Sequence, residues 1–91
     1  MTSHQIHTIG SEEATRLTPP GTHSGMDITL QNVNNSGNIF IGGEGVTDSD
    51  YGFKLVPGAA IAFELPPKDA LYAIGSTDDM SLAEIVIGLE D

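Results

Sequence analysis

The chain has 91 residues, of which 13 are acidic and three are basic, so its formal net charge at neutral pH is −10. A surface this negative is repelled by nucleic-acid phosphate and gains nothing from anionic lipid, so we expect no binding to nucleic acid or to a membrane. The sequence contains no cysteine, which excludes disulfide bonds and thiolate metal sites within these residues.

The first 25 residues are predicted to form an extended N-terminal arm. They are rich in Thr, Ser, His and Gly, and they include Pro19-Pro20-Gly21, which is typical of a linker or a turn. Their few apolar residues show no periodicity that would bury a face, so we expect the arm to gain order by contact with another chain. The residues expected to make that contact are His4, His7, Arg16, Leu17, Pro19, Pro20 and His23.

Residues 26–91 are predicted to form a β domain, because polar and apolar residues alternate in short runs that are separated by turn-forming residues. The predicted strands are 27–31, 38–41, 51–55, 59–65, 70–74 and 83–89. In the last of them, Ala83, Ile85, Ile87 and Leu89 share one face. The prediction is therefore an all-β fold, a small antiparallel β-sandwich or barrel of about six short strands with an extended N-terminal arm.

Residues suited to catalysis are few. All three histidines lie in the predicted arm, and a Ser-His-Asp arrangement would need one of them to fold back over the sandwich. His4 and His7 have the spacing of two metal ligands on a helix, but their surroundings favour no helix and supply no third ligand. A domain this small rarely forms a deep, dry cleft. We therefore expect no enzyme activity, no cofactor and no metal site.

An acidic loop leaves one alternative open. Glu44, Asp48 and Asp50 could supply oxygen ligands to a cation, although the run lacks the twelve-residue pattern of a helix–loop–helix calcium site. Side chains that cap turns or face water are the favoured interpretation.

Four segments between residues 39 and 75 follow one recurrent order. They are 39–43 (IFIGG), 45–47 (GVT), 52–58 (GFKLVPG) and 69–75 (DALYAIG). This order resembles small β-sandwich modules in virion proteins of tailed bacteriophages, in which a Val/Ile-Tyr/Phe-Ile-Gly strand precedes a Val-Thr-x-x-x-Gly-Phe-x-Leu turn and a Leu-Tyr-Ala-Ile strand. The resemblance covers about half of the chain and excludes the arm.

The resemblance implies a structural role in a virion, because such modules occur in head decoration proteins, head fibres and tail components. The short chain and its arm favour a capsid decoration (cement) protein, assembled in the host cytoplasm, that binds the outside of the phage head and bridges subunits of the major capsid protein. The alternative is a tail- or fibre-associated β module that binds host-surface carbohydrate. We also expect a homo-oligomer, with a trimer favoured, because few aromatic residues and no cross-links leave a thin core.

Overall fold

In a computed structural model, the chain folds into two packed β-sheets. The structure describes residues 2–17, 25–65 and 70–87. Those ranges contain no helix, and so none that could cross a membrane. The strands are β1 (Thr2–Ile9), β2 (Thr15–Arg16), β3 (Met26–Asn32), β4 (Ile39–Gly42), β5 (Phe53–Leu55), β6 (Ala60–Leu65), β7 (Tyr72–Gly75) and β8 (Met80–Ile87).

The strands are divided equally between the two sheets. Sheet A has the order β1-β8-β3-β6, sheet B has the order β2-β7-β4-β5, and all neighbouring strands are antiparallel. This order is that of an eight-stranded jelly roll, in which two Greek-key paths enclose one core. The predicted all-β sandwich is confirmed.

The core lies between the sheets and is built by every second residue of the central strands. Ile28, Leu30 and Leu82 of sheet A are fully buried, and they face Ile39 and Ile41 of sheet B. Because successive side chains of a strand point to opposite faces, this burial follows directly from the polar–apolar alternation of the sequence. Each such side chain contributes about 1.5–3 kcal/mol of hydrophobic stabilisation.

The N-terminal segment differs from the predicted arm. β1 pairs with β8 along its whole length, from Thr2↔Ile87 to Ile9↔Met80, and β2 pairs with β7. Ile9 and Leu17 are buried in the core. An edge strand pairs its backbone with one neighbour, and its side chains are less covered than those of a central strand. A strand of mostly polar residues can therefore occupy this position. Residues 2–17 therefore belong to the sandwich.

Asn32, at the end of β3, joins the two sheets. Its side chain is fully buried, and Nδ2 donates to the carbonyls of Leu55 (2.9 Å) and Gly37 (3.1 Å). Its Oδ1 accepts from the backbone N–H (3.0 Å) and the side-chain Nδ2 (2.8 Å) of Asn34. Asn34 in turn exchanges two hydrogen bonds with the backbone of Ser81 on β8. The Asn-rich turn thus connects the sheets through a satisfied buried amide.

The outer face of sheet B is covered by the loop 43–52. Phe40 and Ile74 are direct cross-strand partners on β4 and β7, and both are buried together with Val46 of the loop. The ring of Tyr51 lies 4.8 Å from that of Phe40, measured between centroids. Sheet B therefore has a second, small apolar cluster on its outer side.

Candidate assembly surface

The outer face of sheet A has no comparable cover among the described residues. Leu82, Glu84 and Val86 of β8 point into the sandwich, so Ala83, Ile85 and Ile87 point away from it. The sequence places these last three on one face, and the structure shows that this is the outer face. The exposed fractions are 39% for Ile85 and 50% for Ile87.

The neighbouring strand β1 extends this apolar surface. Ile6 is 68% exposed and lies directly opposite Ala83, while His4 lies opposite Ile85. We define the outer β1–β8 face by the residues of the two strands that point away from the core. They are Thr2, His4, Ile6, Thr8, Ser81, Ala83, Ile85 and Ile87.

The outer β1–β8 face carries no Asp, Glu, Lys or Arg, although the chain has a net charge of −10. The acidic residues on the outer side of sheet A, Asp27 and Glu64, lie on β3 and β6. A shallow cavity of about 240 Å³ adjoins the face near the opposite end of β3 and β6, where its lining includes Gln31, Ala60 and Ile85. A face without acidic side chains on an acidic protein is a surface on which a second negative molecule meets little repulsion.

The outer backbone edge of β1 is a second feature that suits contact with another chain. β1 lies at the edge of sheet A and has β8 as its single neighbour among the described strands. Edge strands are usually protected by Lys, Pro, a bulge or a very short length. β1 is eight residues long and contains no Lys, Pro or Gly. Its outer edge therefore presents N–H and C=O groups with the geometry to pair with another strand.

The residues predicted to contact a partner are not gathered in one place. His4 lies on the outer β1–β8 face, whereas His7 points inward and lies 3.1 Å from Glu84. Arg16 is exposed on β2 of sheet B. Leu17 is 1% exposed, so its assignment to a partner contact is corrected to a core role. Pro19, Pro20 and His23 lie outside the described residues.

Glu44, Asp48 and Asp50, in the acidic loop of sheet B, are exposed. The backbone N–H of Thr47 donates to the carbonyl of Asp50 (2.9 Å), and the Asp50 N–H donates to Thr47 Oγ1 (3.0 Å). In this turn the capping side chain is that of Thr47, and Asp50 takes part through its backbone while its own side chain is exposed. Within the described ranges, no three His, Cys, Asp or Glu side chains gather in a way that would hold a metal ion.

Glu84, the one buried charged side chain among the described residues, is not predicted by the sequence pattern. The sequence feature that could have identified it is the choice of which alternate residues of the last strand face inward. Leu82, Glu84 and Val86 alternate with Ala83, Ile85 and Ile87, so both faces of β8 are largely apolar. Because both faces are apolar, the alternation within β8 does not show which face is inward. The pairing of β8 with β1 and β3 places Glu84 inside.

Comparison with known proteins identifies a shared fold. No family model and no curated protein matches the chain. A solved chain from a family of disulfide-linked pili that form Bacillus endospore appendages superposes with a TM-score of 0.61 at 13% sequence identity. The match covers 94% of this chain and 80% of the pilus chain. At this identity the likeness is one of fold.

This comparison corrects the predicted function. The prediction of a phage capsid decoration protein is wrong, because the fold match is to a bacterial pilus family and not to a capsid protein. The tail- or fibre-associated alternative falls with it, and the virion location and the major capsid protein as partner gain no support. The resemblance to phage modules stays a prediction.

Proposed function

We propose that this chain is a structural subunit that associates non-covalently with further copies of itself through the outer β1–β8 face, in an assembly of the pilus type. The observation that carries the proposal is the outer β1–β8 face, which exposes Ile6, Ile85 and Ile87 and has no Asp, Glu, Lys or Arg, on a chain with a net charge of −10. Exposed apolar surface of this kind is typical of protein–protein contact sites.

The likeness to a pilus chain supports the proposal, since the match extends over 94% of the residues. The disulfide linkage of that pilus family has no counterpart here, because these 91 residues contain no cysteine. Packing of side chains and pairing of strands therefore have to supply the contact between subunits.

A second copy can cover the outer β1–β8 face together with its surroundings. The molecule measures 35 × 23 × 17 Å, and the ~800 Å² per partner that a standard interface buries would take in further residues of sheet A beside the two strands. Full burial of the exposed parts of Ile6, Ile85 and Ile87 contributes about 1 kcal/mol each. The free edge of β1 adds backbone hydrogen bonds if the partner's strand lies beside it.

The geometry of the contact decides the form of the assembly. If the outer β1–β8 face binds the same face of a second copy, a closed dimer results. If it binds a different surface of the next copy, the contact repeats and forms an open filament. The proposed function requires the open filament. The trimer favoured by the sequence is a further closed assembly, and a measurement of mass distinguishes it from the dimer and the filament.

Sedimentation velocity over a range of protein concentrations, together with negative-stain electron microscopy, tests the proposal. We expect the wild-type chain to form species larger than a dimer as its concentration rises, and filaments to be visible. The Ile85→Lys variant places a charge in the centre of the face and is expected to remain monomeric, because burying an unpaired charge is strongly unfavourable.

The matched control is Val56→Lys, which makes the same change of charge at a side chain that is 48% exposed in the turn between β5 and β6. It is expected to assemble like the wild type. A wild-type chain that stays monomeric at every concentration contradicts the proposal, as does an Ile85→Lys variant that assembles normally.

A further inference from the structure

The edge strands of the two sheets differ in how well they are protected against pairing with another strand. On sheet B, β2 has two residues, and β5 has three residues that include Lys54. Short length and lysine both protect an edge. On sheet A, β1 has eight residues and β6 has six, and neither contains Lys, Pro or Gly. Within the described part of the chain, the long unprotected edges therefore lie at the two ends of one sheet.

The strand order of sheet A makes these two edges complementary in direction. Each strand runs antiparallel to its neighbour in the order β1-β8-β3-β6, so β1 and β6 run in opposite directions. A second copy that is shifted along the sheet, with its outer side kept on the same side, therefore places its β6 antiparallel to β1 of the first copy.

The ladder between β3 and β6 shows which backbone groups of β6 point away from the sheet. Asn32 of β3 directs its N–H to the carbonyl of Ala59 (3.0 Å) and its carbonyl to the N–H of Gly58 (2.8 Å). In an antiparallel pair, every second residue directs both groups to the same neighbour, so the inward-facing residues of β6 bond to β3. The backbone groups that point away from the sheet belong to Ala60, Ala62 and Glu64.

The same alternation, continued across β8, identifies the corresponding groups of β1. The outward-facing residues of β8 bond to β3, and its inward-facing residues bond to β1. The backbone groups of β1 that point away from the sheet therefore belong to Thr2, His4, Ile6 and Thr8. On both edges, these residues are the ones whose side chains lie on the outer side of sheet A.

A direct continuation of sheet A brings the two sets of backbone groups opposite each other. One row of residues across the sheet runs from Ile6 to Ala60, and another runs from His4 to Ala62. A second copy placed at the end of these rows, without stagger, pairs its Ala60 with Ile6 and its Ala62 with His4. The small alanine side chains leave room for Ile6, which is 68% exposed and becomes covered on one side.

We propose that β1 of one copy pairs with β6 of the next, so that sheet A continues from copy to copy. This inference rests on the proposed function and names the surface of the next copy that the β1 border of the outer β1–β8 face meets. The contact joins two different edges, so it repeats and forms an open filament. Pairing of β1 with β1 closes after two copies and leaves β6 unpaired. β1 carries no Asp or Glu, so Glu64 meets no like charge on the partner strand.

The continued sheet determines the helical repeat of the filament. Strands in a sheet are about 4.8 Å apart, so the four strands of sheet A give a rise of about 19 Å per copy. Neighbouring strands are rotated by about −20 to −25°, so successive copies are related by a rotation of about −80 to −100°. Helical reconstruction from electron micrographs of wild-type filaments measures both values. A rise that differs from 19 Å by more than about one strand spacing overturns the proposal.

Disulfide trapping tests the same contact in solution. Cα atoms of a hydrogen-bonded antiparallel pair are about 5.5 Å apart, which is within the range that a disulfide spans. In the double variant Ile6→Cys/Ala60→Cys, the two thiols of one copy are about 14 Å apart, since three strand spacings separate them, and cannot bond to each other. We expect oxidation of the assembled double variant to give a ladder of covalent multimers on a denaturing gel.

The single variants Ile6→Cys and Ala60→Cys are the matched controls for the trapping experiment. Each is expected to form no covalent multimers, because its thiol lies opposite a residue without one. The proposal is overturned if the double variant assembles without forming covalent multimers. Covalent dimers of either single variant also overturn it, because they show that an edge pairs with its own copy.

A proline in β6 tests whether backbone pairing holds the copies together. Ala62→Pro removes an N–H that points away from the sheet, so the folded chain keeps its bonds between β3 and β6. We expect Ala62→Pro to sediment as a monomer, whereas Ala62→Ser, which keeps the N–H and a small side chain, assembles like the wild type.

The results for Ala62→Pro and Ile85→Lys separate this inference from the proposed function. If Ala62→Pro assembles normally, strand pairing is overturned and the outer β1–β8 face still accounts for association. If Ile85→Lys assembles and Ala62→Pro does not, the proposed role of the face fails and strand pairing stands. A wild-type chain that stays monomeric at every concentration overturns both.

Discussion

At the scale of single residues, the buried amide of Asn32 constrains the fold through four hydrogen bonds. Replacement by Ala removes the donors to the carbonyls of Leu55 and Gly37. Each buried group left without a partner costs about 1–3 kcal/mol, so Asn32→Ala is expected to lower the free energy of unfolding by about 2–4 kcal/mol. Urea denaturation measures this change.

Asn35→Ala, at an exposed position of the same turn, is the control for Asn32→Ala and should change the free energy of unfolding by less than about 0.5 kcal/mol. Equal effects from the two variants would refute the role given to Asn32.

A second residue-scale constraint depends on pH. Asp78 Oδ1 accepts hydrogen bonds from the backbone N–H (2.9 Å) and the Oγ (2.7 Å) of Ser11. These bonds, the backbone one foremost, hold the pKa of Asp78 below its ordinary value of 3.8. Because the folded-state pKa is lowered, the stabilisation is complete above pH 3.8 and is lost as the pH falls from there through the folded-state pKa.

Asp78→Asn keeps an acceptor for Ser11 and removes the charge. Hydrogen bonds to a charged acceptor are stronger than those to a neutral one, so above pH 4 the variant is expected to unfold at a lower urea concentration than the wild type. The difference should shrink as the solution is made more acidic, because Asp78 of the wild type then becomes protonated. Urea midpoints measured across the acid range check this. Asp79→Asn, the exposed neighbour, is the control. If the difference in urea midpoint between the wild type and Asp78→Asn grows as the pH falls, the charged form of Asp78 does not stabilise the fold.

At the scale of elements, the sequence predicts strands well where apolar residues alternate clearly. β3 and β6 show such alternation, and both lie within about one residue of their predicted bounds. β1 was missed because it is an edge strand whose residues are mostly Thr, Ser, His and Gln, so its pairing with β8 leaves almost no apolar signal. The outer β1–β8 face was missed for the same reason, since it exists only when β1 lies beside β8.

Truncation tests the place of β1 in the fold. Removal of residues 1–9 exposes the edge of β8 and takes the fully buried Ile9 from the core. Loss of a buried Ile side chain alone costs about 2–5 kcal/mol, so the shortened chain is expected to be largely unfolded or to melt at a much lower temperature. Circular dichroism with thermal unfolding measures this.

Removal of residues 1–3 is the matched control for that truncation, because Thr2 and Ser3 are exposed and lie outside the core. It should change the melting temperature only slightly. If the chain without residues 1–9 folds as stably as the whole chain, residues 1–9 behave as part of the separate arm that their composition predicts.

At the scale of the whole molecule, the net charge of −10 opposes the association of identical subunits. The electrostatic screening length falls from about 30 Å at 0.01 M salt to about 3 Å at 1 M, so added salt weakens this repulsion while leaving the apolar contact intact. We expect the weight-average mass, measured by light scattering at fixed protein concentration, to rise with salt. A mass that falls with salt would mean that ion pairs, and not the uncharged outer β1–β8 face, hold the subunits together.

The central claim is that this face becomes buried between copies of the chain. The absence of native cysteine allows a single thiol to be introduced as a probe, in the Ile6→Cys variant on the face and in the Val56→Cys variant away from it. The rate of reaction with a soluble thiol reagent is measured as protein concentration rises through the range in which larger species form. We predict that the rate falls for Ile6→Cys and stays constant for Val56→Cys. A constant rate for Ile6→Cys while the protein assembles would contradict the claim.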